Sequence, residues 1–274
     1  MDYAVRLASP GPLPDDPRRL CPESWWGWLP EGPLKAVYFG TEFSQDLLPG
    51  ANAAEQFCAL AQDAGLETVL LTPLVRADGL DRINTLLDNL ARHGLKPTVV
   101  FNDFGVLRLL RHDFPEHRRQ AGRLINRALR DPRLVDSPPS PAVSEAGRGG
   151  EIRRLLQRFG VAALETDPDL DGSYLGPAVT GLQRVLHLPY VFTASGRNCL
   201  HKAEEQPDQH NFAKWLSRPC PAPCRERWHP EPRADLDFPL WRSGNTLFYE
   251  APRASVEAHL QLVDRIVIHQ RPTS

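Results

Sequence analysis

No window of the 274 residues approaches the run of about 20 apolar side chains that a membrane span needs. The N-terminal MDYAVRLASPGPLPDD has neither the basic start nor the apolar stretch of a secretory signal. An excess of one charge is also missing. With 32 basic and 34 acidic residues the net charge is −2, so no global field draws the chain to nucleic acid or to an anionic membrane. Arg118, Arg119, Arg123, Arg127, Arg130 and Arg133 cluster locally, but at helical spacing they read as a solvated or ion-paired face. HExxH and G-x-S-x-G are absent, which removes two simple grounds for hydrolytic chemistry. Cysteine is scarce and odd in number, and five thiols make a poor disulfide framework. The expected compartment is the cytoplasm, where thiols stay reduced.

Against that scarcity, Cys199, Cys220 and Cys224 fall in one polar stretch, PYVFTASGRNCLHKAEEQPDQHNFAKWLSRPCPAPCRE. The last pair is spaced C-x₃-C and flanked by Pro219, Pro221 and Pro223. Proline fixes φ, so this turn loses little conformational freedom when its sulfurs bind a common partner. Gathered thiolates point to a metal ion or an iron–sulfur centre. Zinc and a cluster both remain open on residue types alone.

Short β-branched or aromatic runs alternate with amphipathic stretches. Strands are expected at Tyr3–Leu7, Lys35–Gly40, Glu67–Thr72, Lys96–Phe101, Gln120–Ile125, Ala162–Thr166, His187–Phe192 and Arg265–His269. Helices are expected between them, at Pro22–Leu29, Asn52–Ala64, Leu80–His93, Phe104–Arg111, Glu151–Phe159, Gly176–Leu186 and Ser255–Leu262. Residues 132–150, rich in Pro, Ser and Gly, read as a mobile loop, and Thr246–Glu250 as an extra strand. The alternation predicts an α/β fold: a single TIM-like (β/α)₈ barrel over residues 1–274, with a cysteine-bearing, cluster-binding insertion at 193–250 after the seventh strand. Functional groups of such barrels lie at the C-terminal strand ends. That rule turns Thr41, Glu42, Asn102, Asp103, Glu165 and Asp167 toward one mouth, and of these Glu42, Asn102, Asp103 and Glu165 are candidates to meet a small-molecule substrate. Arg123 and Asn126 are candidates to bind a carboxylate on it. Asp103 also stands where an N-cap belongs.

The second-strand pattern AVYFG, the run FNDFGVLRLL, the segment QAGRLINRALRDPR and the late Tyr-x-x-Thr/Ser…Cys…C-x₃-C together resemble the collagenase-like peptidase family, peptidase family U number thirty-two. The resemblance spans roughly residues 35 to 226 and is nearest to the branch concerned with anaerobic ubiquinone hydroxylation. It implies a TIM-like barrel carrying a [4Fe–4S] cluster on four cysteines. It further implies oxygen-independent hydroxylation of a small aromatic or isoprenoid-type substrate, with a prephenate-type oxygen donor, and a homologous family member as partner in a heteromer. A non-catalytic cluster-bearing subunit that stabilises such a partner is the alternative, and a zinc-stabilised binding module is a third reading. Peptidase activity finds no support in the motifs, and the net charge argues against a nucleic-acid partner.

One departure from the family pattern concerns the cluster. Where the branch has its first ligand, shortly after the second strand, this chain has Ser44 or a neighbour. Cys21, in the Pro-rich connection after the first strand, is the favoured fourth ligand, with Cys58 as runner-up. Cys58 lies mid-helix, where cysteine usually acts as a small apolar residue. An open iron site, or His201 or His210, completes the range of alternatives.

Overall fold

Parallel strands that are covered on both faces need apolar side chains on both, and the observed strands have them. The computed structural model describes residues 1–126, 132–134, 150–168, 182–196, 199, 201–202 and 220–273. Its barrel strands are β1 (Asp2–Arg6), β2 (Leu34–Gly40), β3 (Glu67–Leu71), β4 (Thr98–Phe101), β5 (Arg119–Ala121), β6 (Ala163–Thr166), β7 (Gln183–Leu188) and β12 (Arg265–His269). They close in the order β1-β12-β7-β6-β5-β4-β3-β2, parallel throughout, as the sequence leads one to expect.

Helices α1 (Glu23–Trp26), α2 (Ala51–Asp63), α3 (Ala77–Arg92), α4 (Phe104–His112), α5 (Gly150–Arg158) and α6 (Arg253–Leu260) lie in the connections. The amphipathic period places Phe57 and Ala61 of α2, Leu86, Leu87 and Leu90 of α3, and Val106 and Leu110 of α4 against the outward-facing Val37, Phe39, Leu70 and Val99. Helix α3 ends in a Schellman motif. Gly94 takes φ +72°, its N–H reaches the carbonyl of Ala91 at 2.9 Å, and Leu95 N–H reaches that of Leu90 at 2.9 Å.

The chain between β7 and β12 adds a second sheet made of β8 (Tyr190–Ser195), β9 (His229–Glu231), β10 (Leu240–Ser243) and β11 (Thr246–Glu250), in the order β8-β11-β10-β9. Its neighbours are antiparallel. Val191, Leu240 and Tyr249 from this region join Trp25 of α1, Val256 of α6 and the outward-facing Leu186, Leu188, Ile266 and Ile268 in a second core.

Two expectations are corrected here. Residues 183–186, assigned to a helix by pattern, are strand β7, and the run expected as one strand at 187–192 is split between β7 and β8. An apolar run such as RVLHLPYVF satisfies both periods over a few residues, and Pro189, which has no N–H to donate, marks where the chain leaves the barrel. The expected loop at 132–150 falls outside the described residues except for the 3₁₀ turn Pro132–Leu134 and the start of α5. The rest of the expected helix 176–186 lies outside them as well.

Candidate functional site

Inside the barrel the side chains change character along the strands. Toward the N-terminal ends, Ala4, Ala36, Val69, Val100, Ala163, Val185 and Val267 form a dry cluster that fills the lumen. Two residues further on, the same inward-facing positions carry Arg6, Tyr38, Asn102, Glu165, His187 and His269, all buried. Glu42, Arg123 and Asp167, just past β2, β5 and β6, complete this polar layer at the C-terminal mouth. Gly122 gives it room, since a Cβ there would lie 2.3 Å from the Asn102 side-chain oxygen.

Arg123 is the centre of the layer. It is fully buried, with Nε 3.0 Å from Glu42 Oε1, Nη2 2.5 Å from Glu42 Oε2 and Nη1 2.7 Å from Asp167 Oδ1. Its guanidinium also lies over Phe43, 5.3 Å from the ring centre, and Phe192, at 5.7 Å. A planar fork meeting one carboxylate bidentately and a second through the remaining nitrogen suits arginine and not lysine.

Beside it runs a line of buried hydrogen bonds. Tyr38 Oη donates to Glu165 Oε1 at 3.2 Å, Glu165 Oε2 lies 2.5 Å from His187 Nε2, and His187 Nδ1 lies 2.7 Å from His269 Nε2. Two proton arrangements satisfy this line. Either Glu165 donates to His187, which donates onward to His269, or His269 donates to His187, which donates to Glu165. Burial first, and the Glu42 charge second, hold Glu165 well above the ordinary carboxylate range. Burial first, and the Arg123 charge second, hold both imidazoles well below theirs.

These shifts have opposite signs in acid. The depressed histidines stay neutral in the native state while the unfolded chain protonates them below about pH 6.5, so their stabilisation is present above that pH and lost as it falls. Glu165 holds a native proton that the unfolded chain releases above about pH 4.3, so it favours the native state increasingly as pH falls toward that value. Two protons gained by the unfolded chain against one held natively leave a net loss of about 1.4 kcal/mol per pH unit on acidification between about pH 6 and pH 4.5. Urea midpoints measured across that window check this, and a flat profile contradicts the assignment.

The three late cysteines come together outside this layer. The Cys199 thiol hydrogen-bonds with Cys224, and its sulfur also accepts the backbone N–H groups of His201 and Lys202. Cys220 is close enough to feel the Cys199 charge, and its sulfur accepts the N–H of Ala222 at 3.4 Å. Ala222 itself takes the left-handed conformation, with φ +59°. Contact with Cys224, then burial, pushes the Cys199 thiol up, and burial does the same to Cys220. The N–H groups and nearby Lys202 act in the opposite sense, stabilising thiolate. His201 is buried and stacks on His229 with ring centres 4.8 Å apart.

Cys21 and Cys58 are placed elsewhere. Cys21 is buried among Tyr3, Trp25, Leu29 and Leu186, with Glu250 and Asp16 as its charged neighbours, and burial pushes its thiol up to about 12. Cys58 sits in the core under α2, where burial pushes its thiol up to about 11. His210 lies outside the described residues.

Of the expected substrate contacts, Glu42, Arg123 and Glu165 share the buried layer, and Asn126 adjoins it by donating to the Glu165 carbonyl at 3.1 Å. Asn102 braces the strand ends, with Nδ2 2.9 Å from the Thr72 carbonyl and Oδ1 2.9 Å from Leu124 N–H. Asp103 caps α4, its Oδ1 2.6 Å from Gly105 N–H. Asp103→Ala is expected to cost about 1 kcal/mol in urea unfolding, the usual loss of a side-chain cap, with metal content unchanged. Asp167 was expected at the mouth and joins the layer, whereas Tyr38, His187 and His269 were not selected by sequence reasoning. Their signal was a polar residue on the inward-facing period of an apolar strand, as in RVLHL and RIVIH.

No protein-family model matches the chain, and no curated protein matches it in sequence. Among solved structures, that of the U32 peptidase Mk0906 is similar, with 14% identity, a TM-score of 0.46 and coverage of 99% of this chain and 93% of that one. A likeness of that depth assigns neither a family nor an activity. No helix among the described residues is long and apolar enough to cross a membrane.

Proposed function

We propose that this chain is an iron–sulfur protein whose cluster is held by Cys199, Cys220 and Cys224 at the barrel mouth. The observation that carries the reading is the convergence of the three sulfurs with backbone N–H groups turned toward two of them. Such N–H···S contacts favour the thiolate, the form that ligates metal. The cluster is preferred to zinc on the sequence pattern, a lone Cys199 followed by a C-x₃-C pair. The Cys199–Cys224 hydrogen bond is as close as two sulfurs on one zinc and carries no part of that preference.

For the fourth corner, His201 is the first candidate. It is buried and follows Cys199 by two residues, whereas Cys21 lies in an apolar pocket with other neighbours. When bound, the cluster would supply electron transfer or a Lewis-acidic iron. The chain's own residues exclude water through Phe43, Phe192 and Phe248, and hold a proton along Tyr38, Glu165, His187 and His269. The reaction class that goes with this reading is oxygen-independent hydroxylation of a small aromatic or isoprenoid-type substrate from a prephenate-type donor. It rests on the resemblance in sequence pattern.

A second reading, a non-catalytic cluster-bearing subunit that stabilises a homologous partner, is favoured by one observation. Glu42, Arg123 and Asp167 satisfy one another, and Asn102 serves as a brace, so these groups are engaged without a substrate. Protein purified without oxygen is the test. Iron and acid-labile sulfide at about four each per chain support the cluster. One zinc without sulfide overturns it, and donor-dependent hydroxylation by the isolated chain separates enzyme from subunit.

A further inference from the structure

Two adjoining cavities open at the C-terminal ends of β1 and β12, of about 510 Å³ and about 210 Å³, and they share Arg6, Ala8, Ser9, Arg271 and Thr273. No aspartate or glutamate lines either one among the described residues. The second cavity also reaches Arg225 and Cys224.

The charges here are unusually placed. Arg6 is 8% exposed, and its guanidinium donates to the carbonyls of Leu7 at 3.2 Å and Gly40 at 2.6 Å, with no carboxylate in ion-pair contact among the described residues. A buried arginine is ordinarily matched by an acid, because an unpaired charge taken from water costs several kcal/mol. Arg271 lies over the Trp228 ring at 5.3 Å, and neither it nor the exposed Arg225 has an acidic partner among the described residues. Burial, together with the like charges of Arg271 and Arg123, lowers Arg6 to about 10, against the opposing pull of Glu42.

Two further groups at the cleft lack partners. The Thr273 hydroxyl is buried without a hydrogen bond. Helix α2 starts at the wall formed by Gly50 and Ala53, and its N-cap is Gly50, which has no side chain to satisfy the first-turn N–H groups. Cationic side chains, an open hydroxyl donor and a helix N-terminus all ask for negative oxygen.

We propose that this cleft binds a small molecule through an oxyanion, a carboxylate or phosphate group held by Arg6 and Arg271, with the rest of the molecule extending toward Arg225 and Cys224. The site stands on its arginines and does not depend on what the thiols hold. Its position does place a bound molecule beside Cys224.

Calorimetric titration of the full-length protein, purified without oxygen, with inorganic phosphate and separately with succinate and citrate at fixed ionic strength tests the proposal. Saturable binding is expected, weakened about tenfold to a hundredfold by Arg271→Ala and by Arg225→Ala less, as for loss of a charge-assisted hydrogen bond. Arg271 sits past the last strand, and circular dichroism verifies that its variant folds. Arg225→Ala, in an exposed turn, serves if it does not. Binding of phosphate alone identifies a phosphoryl ligand, and binding of the carboxylates alone a carboxylic acid. No saturable binding of any of the three, or an unchanged affinity in the folded arginine variants, overturns the site. Iron and sulfide measured in the same sample separate the two readings. Binding without iron keeps this site and sinks the cluster, and iron without binding does the reverse.

Discussion

Cys224→Ser, purified without oxygen, is expected to lose most of its iron and sulfide and the broad visible absorption near 400 nm that a [4Fe–4S] centre gives. Cys199→Ser and Cys220→Ser should do the same. The reason is geometric. Cys199 and Cys224 are in hydrogen-bond contact and Cys220 lies within their field, so each supplies a sulfur that the local chain cannot replace. A serine oxygen is a harder and weaker ligand for iron. Cys21→Ser and Cys58→Ser are the internal comparisons. Both thiols lie in apolar clusters, Cys21 near Glu250 and Asp16 and Cys58 in contact with Thr68, and both are held protonated by burial. Their serine variants should keep the iron and lose stability, by about 1–3 kcal/mol for burying a poorly paired hydroxyl. Loss of iron in Cys21→Ser with full secondary structure would instead make Cys21 the fourth ligand. His201→Ala, with fewer irons per chain or a changed spectrum, would identify the histidine.

The second large effect belongs to Arg123. Arg123→Met is expected to destabilise the fold by about 3–5 kcal/mol in urea unfolding, the cost of stranding buried carboxylates without their cation. Glu42 and Asp167 approach from the ends of β2 and β6, and the guanidinium joins them. Removing both acids along with the arginine should recover much of the loss, because the remaining site is then neutral and of similar volume. The triple variant Arg123→Met, Glu42→Gln, Asp167→Asn therefore discriminates. If it is as unstable as Arg123→Met alone, packing against Phe43 and Phe192 dominates, and charge does not. Arg123→Lys should fall between them, since one ammonium cannot fork Glu42 while also reaching Asp167.

The outer architecture was legible in local pattern. Strands such as KAVYFG and RIVIH, and helices such as that over Leu86, Leu87 and Leu90, declare their periods within a few residues. The grouping of the three late thiols was legible too, since they fall in one short stretch and two of them are spaced C-x₃-C. The misread segment was β7, where a short apolar run carries no unambiguous period and the decision belongs to the two strands that flank it, β6 and β12. The capping role of Asp103 was visible from its place before a helix. The bracing role of Asn102 was not, because its partners Thr72 and Leu124 belong to other connections.

By itself, the sequence determined the alternation of strands and helices, the closure into a barrel that such an alternation favours, and the presence of a thiol cluster in a late insertion. These follow from periodicity and residue chemistry, which act over short stretches of chain. Tertiary structure alone decided that His187 and His269 would touch, although 82 residues separate them. It alone decided that one arginine would tie Glu42 to Asp167, and that Arg6 and Arg271 would face a cleft without an acid. Barrel closure brings the ends of distant strands to one mouth, and which polar groups then meet depends on strand register, a property of the closed sheet and not of any single strand.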